Sequence, residues 1–412
     1  MKNKMAWLII VGIGITLTLS AAGFAEPLFT VKPKLDASYK KDNNFYRSDT
    51  EDNAGADVQN SEREVTSYLI QPGIMFGAKS SQASIMLNYT LDSYSYDDGD
   101  LIAGEEETDD YIGHTGVLQA RYRATGRTTL GLDESLNKTR DPGQSDANTN
   151  ESTPEKYTIN RLTPSLSHQI TENVSTMFRY QNTETAYSKS TLEDSSEHKG
   201  IVDLTYMLNE TISLTGEYQY WERDYNMATA NYCSQEVDLI MKKQFNYLTA
   251  EGGVGYQDRE FDTESVNDMD TFTYKVGISG QMPEAPEKAK SYMSLFASQN
   301  FNDQGIGNSY YTTNKLTLAA GHVFMERVPL NINGSYQNSD YETETGLSSA
   351  GITEARDDDT YTFSGDIGYM VLEDLTISVG AGYEERNSNI LGRDYNNEFV
   401  MAKAAFEHKM GE

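Results

Sequence analysis

The chain has 412 residues, a formal net charge of −30 and a hydrophobic fraction of 37%. So acidic a chain is unsuited to binding nucleic acid, because affinity for phosphates comes from Lys and Arg. The single cysteine, Cys233, excludes a disulfide framework. After the first 25 residues no apolar stretch is long enough for a membrane-spanning helix. The chain has 28 tyrosines and 32 glycines but a low fraction of apolar residues. This composition favours β-strands with one apolar face and one face exposed to water.

The first 25 residues are typical of an export signal. Two lysines precede an apolar stretch over residues 5–19, and the small residues Gly23 and Ala25 suit a cleavage site. This pattern predicts a Sec signal peptide over residues 1–25, cleaved before Glu26. A retained membrane anchor is the alternative, but the apolar stretch is short for a helix that spans a bilayer.

From residue 26 onwards, apolar and polar residues alternate with a period of two, which predicts β-strands. The clearest examples are residues 174–181, 212–220 and 375–384. In each, aliphatic and then aromatic residues occupy one face, while Ser, Thr, Gln, Glu, Gly and similar residues occupy the other. The pattern starts by about Leu28, so we expect no folded plug domain inside a barrel.

Short and long connections alternate along the predicted strands. The short ones are expected near residues 79–82, 125–127, 171–173, 209–211, 243–246, 282–289, 325–329 and 372–374. The long, acidic ones are expected near residues 47–63, 97–110, 141–155, 189–197, 226–234, 262–269, 302–309, 340–359 and 387–395. These connections predict an all-β, transmembrane, antiparallel up-and-down barrel of about 18 strands over residues 26–412, with 16 strands as the alternative. Periplasmic turns, external loops and periplasmic termini follow from that arrangement.

Tyrosines close the apolar face of many predicted strands just before a long loop. An outer aromatic girdle at the membrane interface would place them there, because the ring is apolar and the hydroxyl polar. The predicted girdle consists of Tyr39, Tyr89, Tyr180, Tyr218, Tyr220, Tyr256, Tyr336 and Tyr383. Trp221, beside Tyr220, is predicted to join it. A soluble β-sandwich with Tyr-rich strands is the alternative, but the apolar content is too low for it.

Three short motifs lie near the start of the predicted barrel: VKPKLDASY at residues 31–39, DNNFY at 42–46 and LIQPG at 69–73. They resemble the opening of the β-barrel porin type 2 family of bacterial outer-membrane proteins. The resemblance implies a channel-forming barrel, and it implies an association with exopolysaccharide or capsule export, with which members are often grouped. Barrel chains commonly end on an aromatic residue. Here Phe406 is the expected closing aromatic, unless the last strand has a different register.

Charged residues on the polar face of the strands are the candidate pore lining. They are Arg121, Arg123, Arg161, Arg179, Glu217, Asp238, Glu251, Asp366 and Glu384. Basic residues come early in the chain and acidic residues late. One interpretation is a basic arc that faces an acidic arc and sets a transverse field across the pore. The other is that charges on any wet lumen pair locally.

The predicted long loops are rich in carboxylates, with eight in residues 97–110 and a run at Asp357, Asp358 and Asp359. Weak recruitment of Ca²⁺ or Mg²⁺, bridging to lipopolysaccharide, is one interpretation; a solvated loop is the other. The five histidines, His114, His168, His198, His322 and His408, have no spacing typical of a catalytic or metal site. We therefore predict no enzyme, no cofactor and no resident metal.

The predicted architecture gives two functional hypotheses. The first is an outer-membrane porin-like channel that passes small solutes or polysaccharide through a polar lumen. The second is a structural or surface-interaction barrel with an occluded lumen and binding loops. Expected partners are outer-membrane lipid and lipopolysaccharide, the barrel-assembly machinery and a polysaccharide-export system.

Overall fold

The computed structural model describes most of the chain after the predicted signal peptide. The described residues are 28–45, 47, 63–99, 108–140, 156–188, 193–227, 229–264, 266–282, 290–303, 310–341, 355–390 and 393–408. The signal peptide predicted over residues 1–25 lies outside them. Within these ranges, no helix is both long and apolar enough to cross a membrane.

Within the described ranges the chain forms eighteen strands, each of 12 to 16 residues. They are β1 (Leu28–Asp42), β2 (Val65–Lys79), β3 (Ala83–Asp97), β4 (Tyr111–Arg123), β5 (Thr128–Thr139), β6 (Tyr157–Gln169), β7 (Val174–Tyr187), β8 (Ser195–Asn209), β9 (Ile212–Tyr225), β10 (Tyr232–Gln244), β11 (Leu248–Phe261), β12 (Met269–Met282), β13 (Ser291–Asp303), β14 (Tyr310–Phe324), β15 (Val328–Tyr341), β16 (Asp357–Leu372), β17 (Leu375–Ser388) and β18 (Tyr395–Glu407).

The sheet is closed. Every strand pairs antiparallel with its neighbours in the chain, and β1 pairs with both β2 and β18. Closure removes the free edges that an open sheet would present, so every strand has a hydrogen-bonded partner on both sides. The prediction of an 18-stranded up-and-down barrel is confirmed, and the 16-stranded alternative is wrong.

The connections divide the barrel into two ends. Short turns such as residues 80–82, 210–211 and 373–374 lie at one end, called here the turn end, and the long connections lie at the other, the loop end. Odd-numbered strands run from the turn end to the loop end. The predicted alternation of short and long connections therefore corresponds to the two ends of the barrel.

The two faces of the wall differ in chemistry. On β8, Val202, Leu204 and Tyr206 are 39%, 54% and 47% exposed, whereas Asp203 between them is buried. Because facing residues of paired strands share a face, the pairing of Asp203 with Glu217 carries the polar face to β9. Large exposed apolar side chains thus cover the outer face of the barrel, and polar side chains line the inner face.

The sheet closes beside Phe406. This residue lies opposite Leu35 on β1 and Leu375 on β17, so it takes part in the apolar outer face at the seam. Two residues further on, the His408 imidazole lies 2.6 Å from the Asp374 carboxylate. The His408 backbone N–H donates a hydrogen bond to the Pro33 carbonyl. Phe406 is therefore the last outward-facing aromatic residue of β18.

The aspartate run is not part of a loop, contrary to the sequence-based expectation. Asp357, Asp358 and Asp359 begin β16, where successive side chains point to opposite faces. Asp358 points inwards and bonds to Arg356, while Asp357 and Asp359 accept hydrogen bonds from Asn338. The three carboxylates do not converge on one point. Residues 100–107 of the other acidic segment lie outside the described residues.

The turn between β14 and β15 has a backbone conformation that is unfavourable for the two residues at its centre. Met325 and Glu326 have φ values of 51° and 61°, and the Arg327 N–H donates to the Phe324 carbonyl at 3.0 Å. Such a turn is normally formed by Asn and Gly, because other L-residues strain at positive φ. Lys290 donates to the Glu326 carboxylate at 2.7 Å and holds the pKa of that carboxyl below its usual range.

We expect the double substitution Met325→Asn with Glu326→Gly to stabilise the barrel by about 1 kcal/mol, because it removes strain at two positive-φ positions. The midpoint of guanidinium unfolding of the refolded protein in detergent measures this. Lys290→Gln is the control for loss of the exposed ion pair, and it should leave the midpoint nearly unchanged. A lower midpoint for the double variant would contradict the assignment of strain.

Candidate functional site

The inner face holds all nine residues that the sequence suggested as pore lining. The strand registers place Arg121 opposite Gly131, Arg179 opposite Ser165, and Glu384 opposite Asn397, all on the inner face. The remaining six share that face by the same registers: Arg123, Arg161, Glu217, Asp238, Glu251 and Asp366. This fixes their position; their role in conduction stays a prediction.

A continuous row of ion pairs crosses the inner wall from β7 to β12. Arg179 donates to Asp203 at 2.9 and 3.0 Å and to Glu217 at 2.8 Å. Lys275 lies 3.0 Å from Asp238 and 3.7 Å from Glu217. These five residues are called the charge ladder below. They combine three carboxylates with two cations, so the ladder carries one formal negative charge in excess.

The registers explain why the ladder forms. Asp203, Glu217 and Asp238 lie directly side by side on β8, β9 and β10. Like charges at facing positions repel, so the row requires cations from the flanking strands. Arg179 supplies one from β7, and Lys275 supplies the other from β12.

Glycine on β11 allows Lys275 to reach that row. Gly255 lies opposite both Asp238 and Thr273. A Cβ at Gly255 would lie 2.2 Å from the Asp238 carboxylate and 2.7 Å from the Val237 carbonyl. That space is occupied by the Asp238 carboxylate. Lys275 itself lies opposite Gly253 and crosses β11 there, where a Cβ would lie 3.1 Å from the lysine Cγ. Sequence reasoning missed Lys275 and Asp203, although both follow the period-two pattern and could have been found by extending it.

Four of the other six candidate charges also have nearby partners. Arg121 donates twice to Asp133 at 2.8 and 2.9 Å, and Lys242 lies 3.0 Å from Glu251. Glu384 accepts from Arg47 at 3.0 Å, and Asp366 accepts from an asparagine amide at 2.9 Å. These charges pair locally between strands, and a transverse field between a basic and an acidic arc stays a prediction. Local pairing is the arrangement found.

The eight predicted girdle tyrosines lie on the outer face. Tyr220, Tyr256, Tyr336 and Tyr383 donate their hydroxyl protons to nearby carboxylates at 2.7 to 3.0 Å. The hydroxyls of Tyr89 and Tyr180 are hydrogen bonded to the rings of His114 and His198 at 2.8 and 2.6 Å. Tyr39 and Tyr218 share the outer face by register. Contact with membrane lipid stays a prediction for all eight.

Trp221 does not belong to that girdle. It lies opposite Lys199 and Ser234 on the inner face and is only 5% exposed. The Lys199 ammonium lies 4.0 Å from the centre of its ring, and Tyr225 and Met269 pack beside it. The prediction was wrong because a shift of one residue along a strand reverses the face.

A set of arginine–tyrosine contacts lines the inner face near the loop end, and sequence reasoning missed it. The guanidinium-to-ring distances are 5.7 Å for Arg140 and Tyr111, 5.7 Å for Arg223 and Tyr225, 4.2 Å for Arg259 and Tyr232, 4.6 Å for Arg356 and Tyr341, and 4.7 Å for Arg386 and Tyr395. Arg259, Arg356 and Arg386 are almost fully buried. Buried cations over aromatic faces stabilise a wall that apolar packing alone does not fill.

Three inner-face tyrosines form a parallel stack near the loop end, called the tyrosine stack below. The ring centres of Tyr94 and Tyr111 are 4.7 Å apart at 6°, and those of Tyr94 and Tyr96 are 5.9 Å apart at 5°. The stack borders a cavity of about 220 Å³, the loop-end cavity, which Arg140 and the Lys40–Asp42 pair also line.

Within the described part of the chain, no group of three or more His, Cys, Asp or Glu side chains is arranged to hold a metal ion. The five histidines contact residues in separate places: Tyr89, Thr128, Tyr180, Ser291 and Asp374. Recruitment of Ca²⁺ or Mg²⁺ by the acidic loops stays a prediction.

Comparison with protein families identifies the barrel. Residues 139–245 and 246–408, well over half of the chain, match the family described as "Putative beta-barrel porin 2". The chain belongs to this family. It is thus an outer-membrane β-barrel of the porin type, a channel for small solutes. A comparison with curated proteins found no match by sequence.

Solved structures of similar shape are porins of distant sequence. OccAB4 of Acinetobacter baumannii has a TM-score of 0.49 and 12% identity, over 94% of this chain and 99% of that one. OccK9 (OpdG) of Pseudomonas aeruginosa has a TM-score of 0.49 and 12% identity, over 92% of this chain and 98% of that one. The outer membrane protein OpdK of Pseudomonas aeruginosa has a TM-score of 0.47 and 9% identity, over 92% of this chain and 99% of that one. Likenesses at this level concern shape alone.

We expect Arg179→Gln to increase the cation preference of the porin, because it leaves Asp203 and Glu217 with one cation fewer on the lumen wall. The reversal potential of refolded protein in a planar bilayer under a salt gradient measures this. Lys138→Gln removes one positive charge from the outer face and is the matched control. Equal reversal potentials for Arg179→Gln and the unmodified protein would show that the ladder does not set selectivity.

Proposed function

We propose that this porin is a passive diffusion channel for small polar solutes, with a weak preference for cations before any solute-specific binding. The charge ladder is the observation that carries the proposal. It puts fixed charges of both signs on the inner wall, with one carboxylate in excess, and it leaves the wall hydrophilic across six adjacent strands. Such a wall orders water and lowers the cost of moving a charged solute through a low-dielectric barrier.

The size of the barrel supports an aqueous path. Barrels of 16 to 18 strands are wide enough to leave a channel between side chains that project inwards from opposite walls. The inner face also carries hydroxyl groups, such as the bonded pair Thr205 and Thr215 beside the ladder and the pair Ser335 and Thr362 on β15 and β16. These groups provide hydrogen bonds to water and to neutral solutes. No chemical step follows from this arrangement, so we propose transport without catalysis.

We also propose how the barrel reaches the outer membrane and how it is oriented there. Export through a signal peptide at residues 1–25, insertion by the barrel-assembly machinery and contact with lipopolysaccharide at the loop end would place the loop end outside the cell. On the outer face near the loop end, tyrosine hydroxyls bond to carboxylates. This arrangement suits the polar membrane interface at the edge of an apolar band. Polysaccharide export remains a second candidate, favoured by the inner-face tyrosine stack.

Single-channel recording of the refolded protein in a planar bilayer tests the proposal. We expect stable current steps and a reversal potential that favours cations under a salt gradient. Folding is verified first by the change in gel mobility on heating. A folded barrel without current would overturn the open channel and favour an occluded, surface-interaction barrel. Swelling of protein-containing liposomes in sugars of increasing size separates the two transport candidates, because a polysaccharide conduit would pass oligosaccharides.

A further inference from the structure

We propose that a cavity on the inner wall at the turn end binds phosphate monoesters that carry a short alkyl chain. The cavity, called the turn-end cavity below, has a volume of about 550 Å³ and is lined by residues of β1 to β4. The inference deepens the proposed function by naming a solute class, and it rests on that function only for the passage of the solute. Binding itself requires the cavity alone, so the two can be tested separately.

The cavity contains space that an inner-face glycine leaves open. Gly77 lies on β2 opposite Thr30 on β1 and Met86 on β3. A Cβ at Gly77 would have no heavy atom closer than the Thr30 Cβ at 3.7 Å. At the other inner-face glycines of the described strands, the nearest atom lies 2.1 to 3.1 Å from the corresponding position. The space at Gly77 is therefore open to a solute, and the cavity volume falls in the range of roughly 300–1,000 Å³ that is usual for small-molecule sites.

The floor of the turn-end cavity is apolar, unlike most of the inner wall. Leu28, Met75 and Met86 line it, and Leu28 and Met86 are 74% and 36% exposed. Most of the large exposed apolar side chains of the barrel lie on the outer face instead. An alkyl chain laid over this floor would remove apolar surface from water on both partners, and methionine side chains adapt readily to such a chain. The floor therefore favours a solute with an aliphatic part.

The charged residues at the cavity carry an excess of positive charge. Lys32 and Lys34 share a single carboxylate, that of Glu407, at 3.2 and 3.0 Å. Arg121 is paired with an aspartate of β5. Among the residues that the structure describes, no carboxylate lies within ion-pair distance of Lys79. Four cations thus face two carboxylates, which leaves two positive charges in excess in a chain with a net charge of −30.

Two excess positive charges favour a phosphate monoester over a carboxylate, because the phosphate group carries about −1.5 to −2 charges at neutral pH. Ser84 lies opposite both Lys79 and Arg121, so a hydroxyl stands between two cations on one row of the wall. Thr30 and Gln119 add a hydroxyl and an amide to the lining. Phosphate oxygens accept hydrogen bonds from all these groups. A phosphate at the rim with a short alkyl chain over the floor would use both features of the cavity.

Calorimetric titration of the porin in nanodiscs of zwitterionic lipid with hexyl phosphate tests the site without requiring an open pore. Empty nanodiscs measure how much of the probe enters the lipid. We expect Lys79→Gln to weaken binding by about tenfold, the size of one charge-assisted contact. Lys242→Gln is the matched control, because Lys242 lies on the inner face of β10, on the opposite side of the barrel. It should leave binding unchanged, whereas equal affinity of Lys79→Gln and the unmodified protein would overturn the proposal.

Gly77→Val separates the contribution of the alkyl chain from that of the phosphate. The valine Cβ would meet no close neighbour, and β-branched residues are favoured in strands, so the barrel should fold. The change in gel mobility on heating verifies this. Because the new side chain occupies the space above the floor, we expect about tenfold weaker binding of hexyl phosphate and unchanged binding of inorganic phosphate. Unchanged hexyl phosphate binding, or an equal loss for both ligands, would refute the role of the floor.

Three further probes identify the chemistry. Hexanol has the chain without the charge, inorganic phosphate has the charge without the chain, and hexanoate has the chain with a single charge. Weaker binding of all three than of hexyl phosphate supports the proposal. Binding of any one of them as tight as that of hexyl phosphate overturns it.

Current recordings on the same variants distinguish this inference from the proposed function. A conducting porin that does not bind hexyl phosphate refutes the site and leaves the channel intact. A porin that binds hexyl phosphate but carries no current supports the site and refutes the open channel. When both properties are present, hexyl phosphate added on the turn side should reduce the current of the unmodified protein more than that of Lys79→Gln.

Discussion

Closure of the sheet between β1 and β18 is the constraint on which the other features depend. An isolated strand in a membrane leaves its backbone N–H and C=O groups without partners, which hydrocarbon cannot supply. The nine-residue pairing from Lys34 to Asp42 with β18 completes the circle of strands. Once the circle is complete, every strand has a fixed register, and register decides which side chains face the lumen and which face lipid.

Register then brings charges together that are far apart in the chain. Asp203, Glu217 and Asp238 form one row because three successive strands pair in a particular alignment. Such a row is unfavourable by itself, and the flanking cations Arg179 and Lys275 compensate for it. The wet wall of this porin is therefore an interdependent network of ion pairs. Within this row, most of the negative charge is compensated by the two cations on the flanking strands.

The loop end is built differently from the middle of the barrel. There the inner wall contains buried arginines over tyrosine rings, as at Arg259 and Tyr232 or Arg356 and Tyr341. Tyrosine therefore occurs in two settings in one fold. On the outer face several hydroxyls bond to carboxylates, and on the inner face rings contact arginines; only the direction of the side chain separates the two.

Periodicity and turn chemistry alone determined the fold class and the face of the nine candidate lumen charges, and they favoured 18 strands over 16, because each depends on local alternation that the chain displays directly. The partners of those charges were decided only by the tertiary structure. Arg179 and Glu217 are separated by β8, and their contact depends on two strand registers that no local pattern encodes. Trp221 was misplaced for a related reason: its face depends on a single-residue shift, which composition cannot reveal. The loop-end cavity lay beyond sequence reasoning altogether, because barrel closure alone brings Lys40, Tyr94 and Arg140 to one place.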